Sequence, residues 1–180
     1  MFYKPMVKTF IITPGIFLGV LFSQTFSEST PVHTYSIVAF DEETGELGVA
    51  VQSHWFSVGF LVPWAKAGVG AVATQSFVKV DYGPEGLNRM KNGQSAEEAL
   101  NSLLAEDEGE AVRQVAMIDV KGSVAAHTGT KCIYAAGHQI GKNYSVQANL
   151  MEKETVWPSM ANAFERSNGD LAEKMMAALE

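Results

Sequence analysis

The sequence predicts an α+β protein built from two mainly antiparallel sheets covered by two helical layers. Two observations carry this expectation. Strand-like and helix-like segments follow one another in runs, not in the strict alternation that builds a parallel sheet. The 180 residues are 47% hydrophobic and 18% charged, a globular balance with enough chain for one substantial core.

Residues 34–40, Thr-Tyr-Ser-Ile-Val-Ala-Phe, are β-branched and aromatic and read as a strand. The turn Asp41-Glu42-Glu43-Thr44-Gly45-Glu46 leads into a second strand, Leu47 to Ser53, closing a hairpin. Residues 54–64 form an irregular link rich in aromatics (Trp55, Phe56, Phe60, Trp64). Such a cluster is expected in the core first, and as a pocket wall or subunit contact second. Gly68 to Ser76 is strand material made of small residues, which lets another layer approach closely.

Helices follow. Pro84 after Tyr82-Gly83 suits a first helical turn, and Gly93 ends that helix. Ser95 and Glu98 form a capping box for a helix that carries Ala99, Leu100, Leu103 and Leu104 on one side. Arg113–Val120 and Ser123–Thr128, joined at Lys121-Gly122, read as a second hairpin, and Tyr144–Leu150 as a further strand. Residues 155–166 and 170–179 are expected to be helical, with Pro158 tolerated in the first turn.

The formal charge of −7 and the absence of a long basic run argue against a nucleic-acid partner. Cys132 is the single cysteine, so no internal disulfide can form, and it reads as a small, partly buried thiol. The histidines His54, His127 and His138 match no metal-ligand spacing, so no metal and no cofactor are expected. Residues 1–33 read as a signal peptide and short spacer. Lys4 and Lys8 supply the positive region, Phe10–Phe22 the apolar stretch, and Ser23 to Ser29 the small residues for cleavage. The apolar stretch is short and broken for a membrane span. The expected location is therefore exported, periplasmic or extracellular, with no stable span after processing.

Thr34 stands where this leader gives way to the first strand. If processing exposed it, its free α-amine, with an ordinary pKa of about 7.7–8.0, would take the proton of its own hydroxyl. One residue then supplies both nucleophile and base. The plain alternative is a threonine chosen for β-propensity. His33 before it is a poor residue for ordinary signal peptidase, so a less usual cut or self-cleavage is needed.

The segments beginning at Thr34, at Thr44 and at Val62, with Tyr82-Gly-Pro-Glu-Gly-Leu, Arg113-Gln-Val, Ala136-Gly-His and Val146-Gln-Ala-Asn-Leu-Met, resemble the bacterial family catalogued as domain of unknown function 1028. The resemblance spans residues 34–180, which sets the expected domain. It implies the N-terminal nucleophile hydrolase-like superfamily and its four-layer αββα sandwich. Relatives continue past the last helix into another strand, so this chain is expected to lack that C-terminal strand. The resemblance also implies a reaction: cleavage of an amide bond in a small substrate by a threonine exposed at the N-terminus. The alternative is a catalytically silent member that binds a small ligand or an envelope partner. A homo-oligomer is a further expectation.

With the resemblance, Thr34 is the expected nucleophile. Gln147 and Asn149, two apart on one strand face, are expected to donate amide hydrogens to a developing oxyanion; a satisfied polar pair is the alternative for both. Lys66 is expected to depress nearby pKa values by its charge, or else to be a solvated turn lysine. The expected substrate-binding set is Ser36, beside Thr34 on the same face, Ser53 and Thr74 and Gln75 at strand ends, Asp81 before the helical turn, and His138 in a Gly-His turn.

Overall fold

β-Branched and small apolar residues at alternating positions let each central strand bury both faces, one against helices and one against the opposite sheet. The computed structural model describes residues 32–180; the expected leader and its cleavage segment, residues 1–31, lie outside the described residues. Among the described residues eight strands are present: β1 (Thr34–Phe40), β2 (Leu47–Ser53), β3 (Pro63–Lys66), β4 (Gly70–Ser76), β5 (Arg113–Asp119), β6 (Val124–Thr128), β7 (Gly137–Gly141) and β8 (Tyr144–Asn149). Four helices accompany them: α1 (Tyr82–Lys91), α2 (Ala96–Ala105), α3 (Val156–Arg166) and α4 (Leu171–Leu179).

The strands form two four-stranded sheets of order β2-β1-β8-β7 and β3-β4-β5-β6, antiparallel at every pairing. Odd positions of β1 and even positions of β8 (Ile37, Ala39, Tyr144, Val146) pack on Met160, Phe164, Leu171 and Met175 of α3 and α4. Val72, Val115 and Met117 of the other sheet pack on Leu87, Met90, Leu100 and Leu103 of α1 and α2. Between the sheets lie Val38, Ala71, Ala73, Ala116 and Ile118. The layers are therefore helix, sheet, sheet, helix. The alanines set the inter-sheet distance, because a larger side chain at a buried alanine overpacks an interior already at crystal density.

Local chemistry matches the layers. Ser95 accepts from the Glu98 amide while Glu98 accepts from the Ser95 amide at 2.8 Å, closing the expected capping box at α2. Asp170 and Glu173 build an equivalent box at α4. Gly83 lies against the Trp64 ring, where an added Cβ would come within 2.3 Å of Cγ.

Three local expectations are corrected. The aromatic link is not core: Phe56 is 91%, Phe60 67% and Trp55 62% exposed, because residues 54–62 cross the open end of the sandwich. Only Trp64 turns inward, donating its indole hydrogen to the Leu61 carbonyl at 3.0 Å. The end of that link, Pro63 and Trp64, opens a strand, Pro63–Lys66, and His138 lies in strand β7 instead of a turn. Both strands are short sheet edges, where pairing to one neighbour replaces strong β-propensity.

Candidate functional site

Antiparallel register brings the last residues of β2, β4, β6 and β8 and the first of β1, β5 and β7 to one end of the sandwich. Thr34 opens β1 and pairs with Ser53 on one side and Asn149 on the other. Ser76 pairs with Arg113, Gln114 with Thr128, and Gly137 with Ala148. A cavity of about 360 Å³ opens at this end, within the range of small-molecule sites. Its walls are mostly apolar, including Trp55, Val58, Leu61, Phe77 and Ile133; the polar residues in its lining are Thr34, Gln75, Ser76 and Asn149. Thr34 Oγ1 lies 2.8 Å from Ser53 Oγ, which also accepts from the Trp55 amide at 3.0 Å. Ser76 and Leu150, both in the lining, hold positive φ of 68° and 56°. Such conformations cost about 1–3 kcal/mol each in non-glycine residues and concentrate at functional sites.

Beneath the cavity a buried carboxamide network joins the two sheets. Gln114, on the inward face of β5, organises it. The two hydrogens of its Nε2 are shared among three acceptors, the carbonyls of Ala148 at 2.9 Å and Gly137 at 3.1 Å and Thr128 Oγ1 at 3.0 Å. Carbonyl oxygens only accept, so this contact fixes the amide's sense and leaves Oε1 as an acceptor. Gln114 Oε1 receives Gln75 Nε2 at 2.7 Å and Asn149 Nδ2 at 3.0 Å. Gln75 Oε1 in turn accepts from Ser36 Oγ at 2.6 Å, and Ser36 Oγ accepts from Gln147 Nε2 at 2.6 Å. The chain ends with Ser145 Oγ donating to Gln147 Oε1 at 3.0 Å. Every donor and acceptor direction follows from two backbone carbonyls.

One atom is left over. Asn149 is 1% exposed, and its Oδ1 has no hydrogen-bond partner among the described residues. A buried, unpaired acceptor costs about 1–3 kcal/mol. Asn149 was expected to offer NH₂ to an oxyanion; the network engages one Nδ2 hydrogen, on Gln114 Oε1, and leaves the carbonyl oxygen unpaired. Gln147 has its NH₂ engaged by Ser36 and lies outside the cavity lining.

The remaining expected residues divide clearly. Thr34, Ser53, Ser36, Gln75, Gln147 and Asn149 are brought together. Lys66 is not: it is exposed and pairs with Gly70 at the far end of β4, about 17 Å along the strand from Gln75. Thr74 faces the helical layer and donates to the Lys79 carbonyl at 3.2 Å, a contact that holds the loop after β4. Asp81 is exposed at the start of α1 and lines no part of the cavity. His138 lines a second, more open cavity with Cys132, Tyr134 and Trp157, and its Nδ1 lies 2.8 Å from Thr128 Oγ1. Burial, and then the nearby His127, pull the His138 pKa down. Burial pushes the Cys132 thiol up, away from the reactive range.

Sequence reasoning missed Gln114, Ser145 and Thr128 as members of the network. The signal was present for Gln114: a long polar side chain at an inward position, in phase with Ala116 and Ile118. The loop 77–81, whose Phe77 and Val78 wall the cavity, is held by Arg113, which donates to the Phe77 carbonyl at 2.6 Å. Arg113 also pairs with Asp107 at 2.9 Å, and Tyr82 donates to the same carboxylate at 3.1 Å.

A two-sheet α+β sandwich with a hydroxyl and carboxamide cluster under an apolar cavity is thus the class that the fold and site define. Residues 34–180 match the family of unknown function DUF1028. The crystal structure of protein SPO2555 from Silicibacter pomeroyi, a DUF1028 protein, is similar at 30% identity and a TM-score of 0.78, over 82% of this chain and 68% of that one. The chain belongs to the DUF1028 family. No functionally curated protein matches its sequence.

Proposed function

We propose that this protein is an exported N-terminal-nucleophile-type hydrolase that cleaves an amide bond of a small substrate, with Thr34 as nucleophile. The observation that carries the reading is the placement of Thr34. The first residue of β1 lines the cavity, its hydroxyl lies 2.8 Å from Ser53 Oγ, and Asn149 is its neighbour in the strand register.

Before processing, the nitrogen of Thr34 is an amide bonded to His33, whose carbonyl accepts from the His54 amide at 3.2 Å. Hydrolysis of the His33–Thr34 bond converts that nitrogen into a primary amine. The amine takes the hydroxyl proton as Oγ1 attacks the substrate carbonyl carbon, then delivers it to the departing amine. The resulting ester is hydrolysed by water, with the same amine accepting and returning a proton. Ser53 Oγ, itself held by the Trp55 amide, orients the attacking hydroxyl.

N-terminal sequencing of the mature protein tests the premise, and a Thr34→Ala variant tests the chemistry. A mature start at Thr34 with turnover lost in Thr34→Ala is the expected result. A stable start upstream of Thr34 overturns the mechanism. The poor fit of His33 to ordinary signal-peptidase cleavage motivates one alternative, a catalytically silent binder of a small ligand. Ligand binding that survives Thr34→Ala with no turnover in either form identifies it.

A further inference from the structure

The cavity's chemistry narrows what it holds, on the premise that it is the substrate site proposed above. Its walls are aliphatic and aromatic, so the body of the ligand must be apolar to gain from burial there. Two residues of that lining carry a buried polar atom with no hydrogen-bond partner among the described residues, Ser76 Oγ and Asn149 Oδ1, and only Asn149 Oδ1 is an acceptor alone, since a hydroxyl can also donate. Its identity as an oxygen is set by its neighbour Gln114 on the facing sheet. Gln114 Nε2 is committed to the Ala148 and Gly137 carbonyls, so Gln114 Oε1 must face Asn149, and Asn149 must answer with Nδ2. Rotating the Asn149 amide would set two carbonyl oxygens against each other at 3.0 Å. The site therefore presents a fixed, desolvated acceptor.

We propose that the cavity selects apolar ligands carrying an amide N–H, which donates to Asn149 Oδ1, and that Gln114 is the positioning residue that sets this specificity. A group already stripped of water gains nearly the full strength of a new hydrogen bond, whereas a ligand without a donor leaves it unpaired. Tertiary amides and esters of the same apolar body bind more weakly for that reason.

The test uses the processed protein, its N-terminus confirmed at Thr34 by sequencing, and two probes with one body, the N-methyl and N,N-dimethyl amides of 4-phenylbutyric acid. Affinity is read by isothermal titration, and the same samples are followed by NMR for released carboxylate. The N-methyl amide is expected to bind roughly tenfold tighter or more. Asn149→Leu is expected to abolish that preference. Trp55→Ala, at an exposed wall position, is expected to weaken both probes alike. Should Asn149→Leu fail to fold, adding the primary amide in the unaltered protein decides: N–H-bearing members group together, and the dimethyl member falls away. Equal affinities overturn the inference, as does failure of both probes to bind at millimolar concentration. Selective binding without released carboxylate overturns hydrolysis by Thr34 and leaves the specificity standing.

Discussion

Asp107 offers a perturbation whose size follows from the structure. Burial alone pushes its carboxyl pKa up. The Arg113 guanidinium, the Gly109 amide and the Tyr82 hydroxyl outweigh that and bring it down to about 2, against an ordinary 3.8. At about 1.36 kcal/mol per pH unit the difference is about 2.4 kcal/mol. The carboxylate is 7% exposed but lies just under the surface, beside a Lys79 that is 35% exposed. Solvent screening therefore reduces the figure to about 1–2 kcal/mol. The sign is that of a depressed acid: the unfolded chain takes the proton first, so the contribution is complete above pH 3.8 and is lost as pH falls toward 2. Asp107→Asn removes it. Urea unfolding at several pH values between 6 and 2 is the assay, because an uncharged denaturant leaves the ion pair unscreened. The unaltered protein should exceed the variant by about 1–2 kcal/mol at pH 6, and the gap should close toward pH 2. Parallel curves, or a variant equally stable at pH 6, would refute the account of Asp107 as the anchor of the loop at the cavity wall.

Other outcomes follow from single contacts. Gly83→Ala gains about 1 kcal/mol of helix propensity, yet its Cβ would meet the Trp64 ring at 2.3 Å. A net loss of about 1–3 kcal/mol in thermal or urea unfolding is expected, and a stabilised variant refutes the packing. Gln114→Leu strands the amide of Asn149 and the carbonyls of Ala148 and Gly137 together; the expected loss exceeds about 3 kcal/mol by urea unfolding. His138 is held below its ordinary pKa by burial. Because its folded pKa is the lower one, stability is present above about pH 6.5 and falls as pH drops through the folded value. His138→Gln should flatten that part of the profile, and NMR titration of the imidazole above 6.5 would contradict it.

The chain announced its fold through elements that carry their own signals. β1, β4, β5 and β8 are buried on both faces and rich in Val, Ile and Ala, and α2 is bounded by a Ser95–Glu98 capping box. The two missed strands, β3 and β7, contain Pro63, Gly137 and Gly141 and exist because a neighbour pairs with them. Their signal lies in the partner strand. For the site, period-two reasoning put Ser36 beside Thr34 and Gln147 beside Asn149, since residues two apart share a face. It had no access to contacts across sheets. Ser36 meets Gln75 across 39 residues, and Asn149 meets Gln114 across 35. Lys66 failed on the same ground: proximity in sequence to a strand does not say which end of the sheet a residue occupies.

The sense of Asn149 shows how far such cross-sheet contacts reach. A carboxamide can offer a donor or an acceptor, and composition does not choose between them. Here the choice is made on the facing sheet, where Gln114 meets two main-chain carbonyls that cannot donate. Those carbonyls belong to Gly137 of edge strand β7 and Ala148 of central strand β8, so pairing between β7 and β8 sets the polarity of the cavity lining. An edge strand with little propensity of its own is thereby tied to the chemistry of the site. Loosening β7 should blur the distinction between N–H and tertiary amide ligands before it alters their apolar affinity, because the walls at Trp55, Val58 and Leu61 come from the opposite side, between β2 and β3.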